Sequence, residues 1–541
     1  MMSFDSFKPL IGAVCASLLA AAVIIRSSRN NNRGINRNSD PRRKTQAGAF
    51  GETVDSTAKV QVVIVSCDEL VAAGSGASGS FAEAGADECV LYDTFRSHGI
   101  PFHVRSWSDT SVKWGDYDIV LVRTAWDYSI SEARAWTFTR FLSNVAESGA
   151  LVINDARVQT WNTHKAYLAE VAAMAPKVTS PRLDFSCIPS VLVAAGTRGD
   201  LREILTREGW LNCGIMLKPA VGGGSRACLA VAHDTIGTAT VLDDAQAFLD
   251  THTIGGEVGG ARTELYAKRI ATAALVATPH HHAQSPSLLH IKLSPSVIES
   301  AGVDANAMGA RDARDVRANA WEALATRAAN STAANATAVV IPCDMFVQPF
   351  LPSVSEGELS VIVIDGRVSH AVQKIPRAGS WRCQEEFGAV ATVVPISPLV
   401  EDLVLRIVQA ARLAVETAVP SLMTPSSPGA AEALSHQVST SLPRRAILVA
   451  RVDLLRLTPE MATILFAASA SAASSSTTDK DTTHHHPDLS RTPYLLLEAE
   501  LIEPALFFKE AAMAGIDAAG KLVTAIVREL AMMRAAEGGE K

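Results

Sequence analysis

Three short apolar runs near the start of the chain constrain its fold most, because a helical stretch separates two of them. The runs are residues 60–66 (VQVVIVS), 119–122 (IVLV) and 151–153, and residues 132–147 show a helical spacing of Ala, Trp, Phe and Leu. Apolar runs of this length are typical of buried strands. A strand, helix, strand order favours a parallel sheet, so we predict a doubly wound α/β domain at residues 58–155.

The length and charge of the chain add two constraints. A chain of 541 residues exceeds what one hydrophobic core usually organises, so we expect further domains. Residues 26–44 carry six Arg and one Lys against one Asp, which leaves the rest of the chain more acidic than the net charge of −7 suggests. An acidic body of this kind excludes non-specific nucleic-acid binding from the expected functions.

The amino terminus has the composition of an anchor. Residues 10–25 are small and apolar, and basic residues follow at once. Although the run is short for a span of about 20 residues, we interpret residues 1–57 as a membrane-anchor or targeting segment and basic linker. The positive-inside rule would keep the basic flank, and everything after it, on the cytosolic side. An organelle-targeting segment is the alternative, and a cleaved secretory signal is disfavoured because the basic cluster follows the apolar run.

Three tracts lack sustained periodicity and are interpreted as low-complexity insertions, at residues 236–340, 424–442 and 457–492. Such compositions bury too little apolar surface to offset the entropy of ordering. The histidine triplets at residues 280–282 and 484–486 fall inside these tracts, and we therefore exclude them as metal ligands.

The eight cysteines are scattered, without a CxxC pair. This pattern disfavours a disulfide framework or a zinc ribbon. We expect them to behave as small core residues in a reducing compartment.

Paired carboxylates indicate a metal site. Glu498 and Glu500 are two residues apart in a predicted strand (YLLLEAELIEP), so their side chains lie on one face, and Asp453 ends the preceding strand (AILVARVD). Side-by-side carboxylates repel unless a cation lies between them, and Mg²⁺ prefers such oxygen ligands, with Mn²⁺ as a possible substitute. The alternative is an exposed hairpin face with basic neighbours, which the apolar flanks disfavour.

A lysine followed by glycines provides the groups that phosphate binding needs. Lys218 ends a predicted strand at residues 215–218, and a segment that we call the glycine segment follows it. The glycine segment consists of Gly222, Gly223, Gly224 and Ser225. Glycines let the backbone close over phosphate oxygens without a Cβ in the way. The pattern is not a P-loop, because the lysine precedes the glycines.

Residues 344–387 contain a further block, in which an apolar strand leads into QPFLP at residues 348–352 and an acidic turn follows. A hairpin is then predicted at Asp365-Gly366, whose dipeptide is a strong turn signal. Lys374 and Arg382 follow eight residues apart.

The order of these blocks resembles the ATP-grasp superfamily, in particular its glutathione synthetase-like group. The matching positions in the third block are Lys374, Ile375, Pro376, Arg382 and Gly388, with a departure at Ala389. The endings E-x-E-L-I-E-P and A-R-V-D, and the segment RTAWDY at residues 123–128, are more similar to the cyclo-ligase branch of cycloserine biosynthesis. The resemblance implies an ATP-grasp fold (α/β with α+β character), with a small lid subdomain at residues 156–235 and a C-terminal catalytic subdomain at residues 341–535.

The resemblance also implies roles for single residues. Adenine would be bound through the backbone of Gln348 and Phe350, and ribose by Glu358, for which Glu356 or a solvated turn is the alternative. Lys165, in a predicted helix at residues 161–174, would join Lys218 and the glycine segment at the phosphates. Arg382, aided by Lys374, would stabilise charge on the transferred phosphoryl group, and Asp453, Glu498 and Glu500 would hold the metal.

The RTAWDY segment follows a predicted strand directly, where ligands bind in open α/β sheets. We expect Arg123 to hold a substrate carboxylate and Asp127 to recognise an amine, with capping of the next helix as the alternative for Asp127.

Taken with the resemblance, these features predict an ATP-dependent ligase that activates a small-molecule carboxylate as an acylphosphate and joins it to an amine, forming ADP. A catalytically silent ATP-binding regulatory protein and a membrane-tethered scaffold are the alternatives. The sequence predicts neither the substrate nor the oligomeric state.

Overall fold

The computed structural model describes the following parts of the chain: residues 60–74, 85–178, 184–211, 213–231, 239–254, 343–422, 445–458 and 493–539, with the short pieces 180, 256–258, 338–340, 442–443, 461 and 465. Within these parts, no helix combines the length and apolarity needed to cross a membrane. The predicted anchor at residues 10–25 and both histidine triplets lie outside the described residues.

The first sheet is parallel, as predicted. Its four strands have the order β2-β1-β3-β4. They are β1 (Val62–Ser66), β2 (Phe102–Ser106), β3 (Ile119–Thr124) and β4 (Leu151–Ile153), with helices α1 (Asp68–Gly74), α2 (Ala86–Ser97) and α3 (Glu132–Glu147).

Side chains of β3 point alternately to the two faces of the first sheet, and a helix covers each face, as a doubly wound domain requires. Ile119 and Leu121 pack with Phe95 of α2, whereas Val120 and Val122 pack with Phe138 of α3 on the opposite face. Each fully buried side chain of this type contributes about 1.5–3 kcal/mol. Strand β2 was not predicted, because its sequence FHVRS is only partly buried and mixes polar with apolar residues.

The second sheet is built from distant parts of the chain. Its order is β6-β11-β7-β8, and β11 is antiparallel to both of its neighbours. The strands are β6 (Val191–Val193), β7 (Ile215–Pro219), β8 (Leu229–Val231) and β11 (Met345–Pro349), with helices α6 (Leu201–Arg207) and α7 (Ala239–Ile254). A separate antiparallel pair consists of β9 (Gly256–Val258) and β10 (Ala338–Val340).

The third sheet has six strands in the order β14-β13-β12-β15-β16-β5. The strands are β5 (Ser186–Cys187), β12 (Glu358–Ile364), β13 (Arg367–Ile375), β14 (Val390–Val394), β15 (Val449–Arg456) and β16 (Tyr494–Glu500). The helices are α4 (Ala156–Asn162), α5 (Tyr167–Met174), α8 (Pro398–Leu422), α9 (Phe508–Met513) and α10 (Ala518–Gly539). All of its strand pairs are antiparallel except β16 with β5.

Both faces of the third sheet are covered. Val361 packs with Leu403 of α8, whereas Ile362 packs with Leu522 of α10. The hairpin between β12 and β13 confirms the turn prediction, because Asp365 (φ 56°) and Gly366 (φ 69°) both adopt the left-handed conformation of a two-residue turn.

Candidate active site

Strand register brings the predicted metal ligands together. Asp453 on β15 lies opposite Glu498 on β16, and Glu500 follows two residues later on the same face. Carboxylate oxygens of these three residues, which we call the carboxylate cluster, lie within 4.8 Å of one another. Hard oxygen donors at this spacing fit Mg²⁺. The chemistry of the donors therefore agrees with the metal that the sequence predicted.

Arg451 crosslinks this cluster. Its Nη2 atom lies 2.8 Å from Asp453 Oδ2 and 2.5 Å from Glu500 Oε1. Burial opposes ionisation of Asp453, but Arg451 and Lys374 outweigh it and hold the pKa of Asp453 well below its usual range. Burial raises the pKa of Glu500 despite Arg451. Arg451 was missed in the sequence, although its position two residues before Asp453 places both side chains on one face of a strand.

Two lysines from separate elements approach Glu498. Lys218 Nζ lies 3.3 Å from Glu498 Oε1, and Lys165 Nζ lies 3.9 Å from the same oxygen. Burial alone would raise the pKa of Glu498, but the two lysines outweigh it and lower that pKa. The predicted phosphate lysines and metal carboxylates therefore share one site.

Lys165 reaches this site because the predicted helix is interrupted there. Helix α4 ends at Asn162 and α5 begins at Tyr167, so Lys165 lies in the break between them. The Lys165 backbone N–H donates to the Ala220 carbonyl at 2.8 Å, and His164 Nε2 lies 3.3 Å from Asp344 Oδ2. These long-range contacts replace the expected single helix at residues 161–174.

The glycine segment lies beside both lysines. Lys165 Nζ donates to the Gly222 carbonyl, and Ser225 Oγ lies 3.1 Å from Gln384 Oε1. Gly224 has a φ of 59°, a conformation that glycine adopts at little cost. The segment thus spans from the first lysine to the loop that carries Arg382.

The predicted adenine contacts are partly occupied by the protein. Gln348 Nε2 donates to Ser190 Oγ at 2.6 Å, and the Phe350 N–H donates to the Gly214 carbonyl at 3.0 Å. The Phe350 N–H is therefore used within the protein, whereas adenine binding through the other backbone groups of Gln348 and Phe350 stays a prediction. The Phe350 ring contacts Trp381, with ring centroids 6.3 Å apart.

Lys374 links the predicted ribose residue to the carboxylate cluster. Its Nζ atom lies 2.7 Å from Glu358 Oε2 and 3.6 Å from Asp453 Oδ1. Burial alone would lower the pKa of Lys374, but Asp453 and Glu358 outweigh it and raise that pKa. Lys374 is therefore protonated, and its positive charge lies next to Glu358 and Asp453.

Arg382 lies against two aromatic rings. Its guanidinium carbon is 4.9 Å from the Trp381 ring centroid and 4.7 Å from that of Phe387. Its buried Nε atom has no hydrogen-bond partner among the described residues. Burial raises the pKa of the Cys228 thiol, whereas the charges of Lys218, Lys165 and Arg382 act in the opposite direction, so all three cations lie within electrostatic range of this thiol.

Arg123 requires a correction. It is buried, and its Nε and Nη2 atoms donate to Glu88 Oε1 at 3.1 and 2.7 Å, while Nη1 donates to the Pro504 carbonyl at 2.7 Å. All three nitrogen atoms are thus engaged inside the protein, and Arg123 joins α2 to the segment after β16 instead of presenting its guanidinium to a substrate.

Asp127 requires a similar correction. It is buried, Oδ1 accepts a hydrogen bond from Trp107 Nε1 at 2.6 Å, and Oδ2 forms an ion pair with Arg134. The alternative of helix capping also fails, because Ser131 caps α3 by accepting from the Arg134 N–H. Asp127 therefore orients the start of α3 through the Arg134 side chain.

Two family models match the sequence. Residues 62–154 match the N-terminal domain of D-cycloserine synthetase DcsG, and residues 324–422 match the RimK-like ATP-grasp domain. No curated protein matches the chain.

Solved structures of similar fold include D-cycloserine synthetase DcsG, with 15% identity over 87% of this chain and 99% of that chain and a TM-score of 0.47. The ATP-grasp ligase PsnB with its minimal precursor has 12% identity over 87% and 99%, with a TM-score of 0.37. D-alanine–D-alanine ligase from Bacillus anthracis complexed with ATP has 10% identity over 88% and 99%, with a TM-score of 0.41.

The match over residues 324–422, together with a site that combines three carboxylates with two lysines, indicates an ATP-grasp domain in this part of the chain. Residues 62–154 are in turn similar to the N-terminal domain of D-cycloserine synthetase DcsG.

Proposed function

We propose that this protein uses Mg-ATP to activate the carboxylate of a small molecule as an acylphosphate, which an amine then attacks to form a C–N bond. The observation that carries the proposal is the convergence of Lys165 and Lys218 on Glu498 within the carboxylate cluster. Cations and metal-type carboxylates at one point are what a triphosphate with its divalent ion requires.

The carboxylate cluster would hold Mg²⁺, or Mn²⁺, which when bound neutralises phosphate charge. The ion pairs of Glu498 with the two lysines keep their ammonium groups beside that position, 3.3 and 3.9 Å from Glu498 Oε1. Phosphate oxygens bind there by accepting hydrogen bonds from both lysines and from backbone N–H groups of the glycine segment. Lys374 and Arg451 hold Asp453 ionised.

Arg382 is suited to bind the transferred phosphoryl group. The guanidinium carbon lies within 5 Å of the ring centroids of both Trp381 (4.9 Å) and Phe387 (4.7 Å), and the Nε donor has no partner among the described residues. A fixed donor aimed at developing charge stabilises a transition state more than a mobile one. As the amine displaces phosphate, the same group would stabilise the oxyanion of the tetrahedral adduct.

The test uses purified protein with Mg-ATP and paired panels of amino acids, amino-hydroxy acids and short peptides. Release of ADP that depends on one carboxylate and one amine, with a matching condensation product by mass spectrometry, is the expected result. Tight ATP binding without turnover on any pair would instead support an ATP-binding regulatory protein. Absence of Mg-ATP binding would contradict both.

A further inference from the structure

Arg226 follows the glycine segment and is held by an unusual backbone. Its N–H donates to the Gly223 carbonyl at 3.2 Å, and both of its neighbours, Ser225 (φ 56°) and Ala227 (φ 50°), adopt the left-handed conformation. Non-glycine residues in this region cost free energy, and they cluster at ligand-binding sites.

The Arg226 side chain is oriented at two points by the RTAWDY segment and the residue after it. Its guanidinium carbon lies 5.3 Å from the Trp126 ring centroid, and Nη2 donates to Ser129 Oγ at 2.9 Å. Ser129 Oγ itself donates to the Trp126 carbonyl at 2.7 Å, so its proton is used and its oxygen is free to accept from Arg226. The guanidinium is thereby fixed at the carboxyl end of β3.

Charge pairing separates Arg226 from three other arginines near the site. Arg123 pairs with Glu88, Arg134 with Asp127, and Arg451 with Asp453. Across the part of the chain that the structure describes, no carboxylate forms an ion pair with Arg226, whose side chain is exposed. One hydrogen bond to Ser129 leaves most of its N–H donors for a ligand.

The glycine segment connects Arg226 to the lysines of the site, because Lys165 Nζ donates to the Gly222 carbonyl and a Cβ on Gly223 would lie 3.2 Å from Ser129 Oγ, which accepts from Arg226. Burial raises the pKa of the Tyr128 phenol, Glu503, Glu500 and Glu498 add to this effect, and Arg226 opposes it. Tyr128 is therefore within electrostatic range both of the acids of the site and of this arginine. A carboxylate bound to Arg226 would lie near the position where phosphoryl transfer is proposed.

We propose that Arg226 binds the substrate carboxylate that becomes phosphorylated, in place of the buried Arg123. A planar guanidinium fixed by stacking matches a carboxylate with two parallel hydrogen bonds. The ligand class is a small carboxylic acid. This inference rests on the proposed function, and it adds a substrate-binding residue to the segment that covers the phosphates.

Steady-state kinetics of Arg226→Ala and Arg226→Lys test the inference, with Arg202→Ala, an exposed arginine of α6, as the matched control. We expect Arg226→Ala to raise KM for the carboxylate by about tenfold to a hundredfold, as loss of a charged hydrogen bond implies. Arg226→Lys should restore part of this loss, and KM for ATP should change by less than about twofold. An unchanged carboxylate KM, or an equal rise in the KM for ATP, would overturn the inference.

Binding separates this inference from the proposed function. Alanine and serine of both hands, and the corresponding carboxamides, are titrated calorimetrically into wild-type protein that holds Mg²⁺ and a non-hydrolysable ATP analogue. Binding of acids but not amides, lost in Arg226→Ala and kept in Arg202→Ala, would support Arg226 even where the wild type releases no ADP. Equal binding of acids and amides, no binding of the acids to the wild type, or retained binding in Arg226→Ala would refute it.

Discussion

Single residues of the site differ in how visible they are in the sequence. Glu498 and Glu500 stand out because two acids interrupt an apolar strand at a spacing of two, and the register then places Asp453 beside them. The partner of Arg123 is Glu88, 35 positions away in α2, so no local pattern indicates that this arginine is already paired. Local motifs therefore identify the chemical groups, whereas their availability depends on tertiary contacts.

The position of Glu498 in the carboxylate cluster leads us to expect that its substitution lowers activity. Glu498→Gln removes the charge shared by Lys165 and Lys218, and we expect ADP release to fall about a hundredfold, as for loss of one preorganised charge in a site. Glu401→Gln, at an exposed position of α8, is the control. Equal activity of both variants under saturating Mg-ATP would contradict the assignment.

Because Arg123 forms a buried ion pair, we expect its substitution to lower the free energy of unfolding. Arg123→Ala leaves Glu88 buried without its ion pair, and we expect the free energy of unfolding to fall by about 3–5 kcal/mol in urea denaturation. Arg96→Ala removes an exposed pair with Asp93 and should cost less than about 1 kcal/mol. If Arg123→Ala folded with wild-type stability but bound the substrate poorly, the original assignment to the substrate carboxylate would be restored.

At the scale of elements, the turn before β12 depends on a close backbone approach. Gly357 has a φ of 98°, and a Cβ there would lie 2.5 Å from the Lys374 carbonyl oxygen. Gly366, in the next turn, also has a positive φ of 69°, but a Cβ there would meet nothing within 4 Å. Gly366→Ala should therefore cost about 1–2 kcal/mol of unfolding free energy through its backbone alone.

Gly357→Ala should cost at least about 1 kcal/mol more than Gly366→Ala, because the clash adds to the backbone term. It should also displace Lys374 and so lower the rate of ADP release. Chemical denaturation and the ADP assay on both variants check this. Equal losses of unfolding free energy in the two variants would show that β13 moves away from the added Cβ at no energetic cost.

A pH-dependent contact ties β13 to the segment before α9. His370 Nε2 donates to the Leu506 carbonyl at 2.9 Å, and burial lowers the pKa of His370 below its ordinary value of 6.5, with the carbonyl opposing in part. The unfolded chain therefore binds a proton on His370 more readily than the folded protein does. The neutral His370 side chain contributes its full stabilisation of the folded state above the ordinary pKa of 6.5, and this contribution is lost as the pH falls towards the lower pKa that His370 has in the folded protein.

His370→Gln keeps a donor but does not titrate. Between about pH 7.5 and about pH 5.5, we expect the wild type to lose more unfolding free energy than this variant, by up to about 1.4 kcal/mol per pH unit for one proton. Parallel pH profiles of the two proteins in urea denaturation would show that His370 is not responsible.

Some helices and strands could be predicted from local sequence patterns, and others could not. The α3 helix, the β12–β13 hairpin and strand β7 follow local periodicity and turn chemistry, and all three were predicted. Strand β2 and the helix break at Lys165 were not, because partners elsewhere in the chain stabilise them: β1 for the first, the Ala220 carbonyl for the second. Neither partner is apparent from neighbouring residues.

At the scale of the whole molecule, the site exists only when separate sheets are assembled. Lys218 belongs to the second sheet and Glu498 to the third, while Lys165 lies in the break between two helices that flank the third. Binding of Mg-ATP should therefore stabilise the assembled protein, by about 2.7 kcal/mol at a hundredfold excess over Kd.

Thermal unfolding with Mg-ATP, and with ATP in the presence of EDTA, measures this linkage. We expect the midpoint to rise with Mg-ATP and most of the rise to be lost with EDTA, and we expect Glu498→Gln to respond weakly to both. An equal rise with and without the divalent ion would argue that the carboxylate cluster holds no metal.

Strand β11, which pairs on both edges with β6 and β7, has a consequence for biosynthesis. The first sheet is complete once β4 has been made, but the second must wait for β11, and the third must wait for β16. At a translation rate of about 5–20 residues per second, β5 and β6 leave the ribosome many seconds before their partners β16 and β11, and β7 can at first pair only with β8. During that interval the first sheet is the only one of the three large sheets, among the described residues, whose strands have all been made, and the second and third sheets still lack β11 and β16.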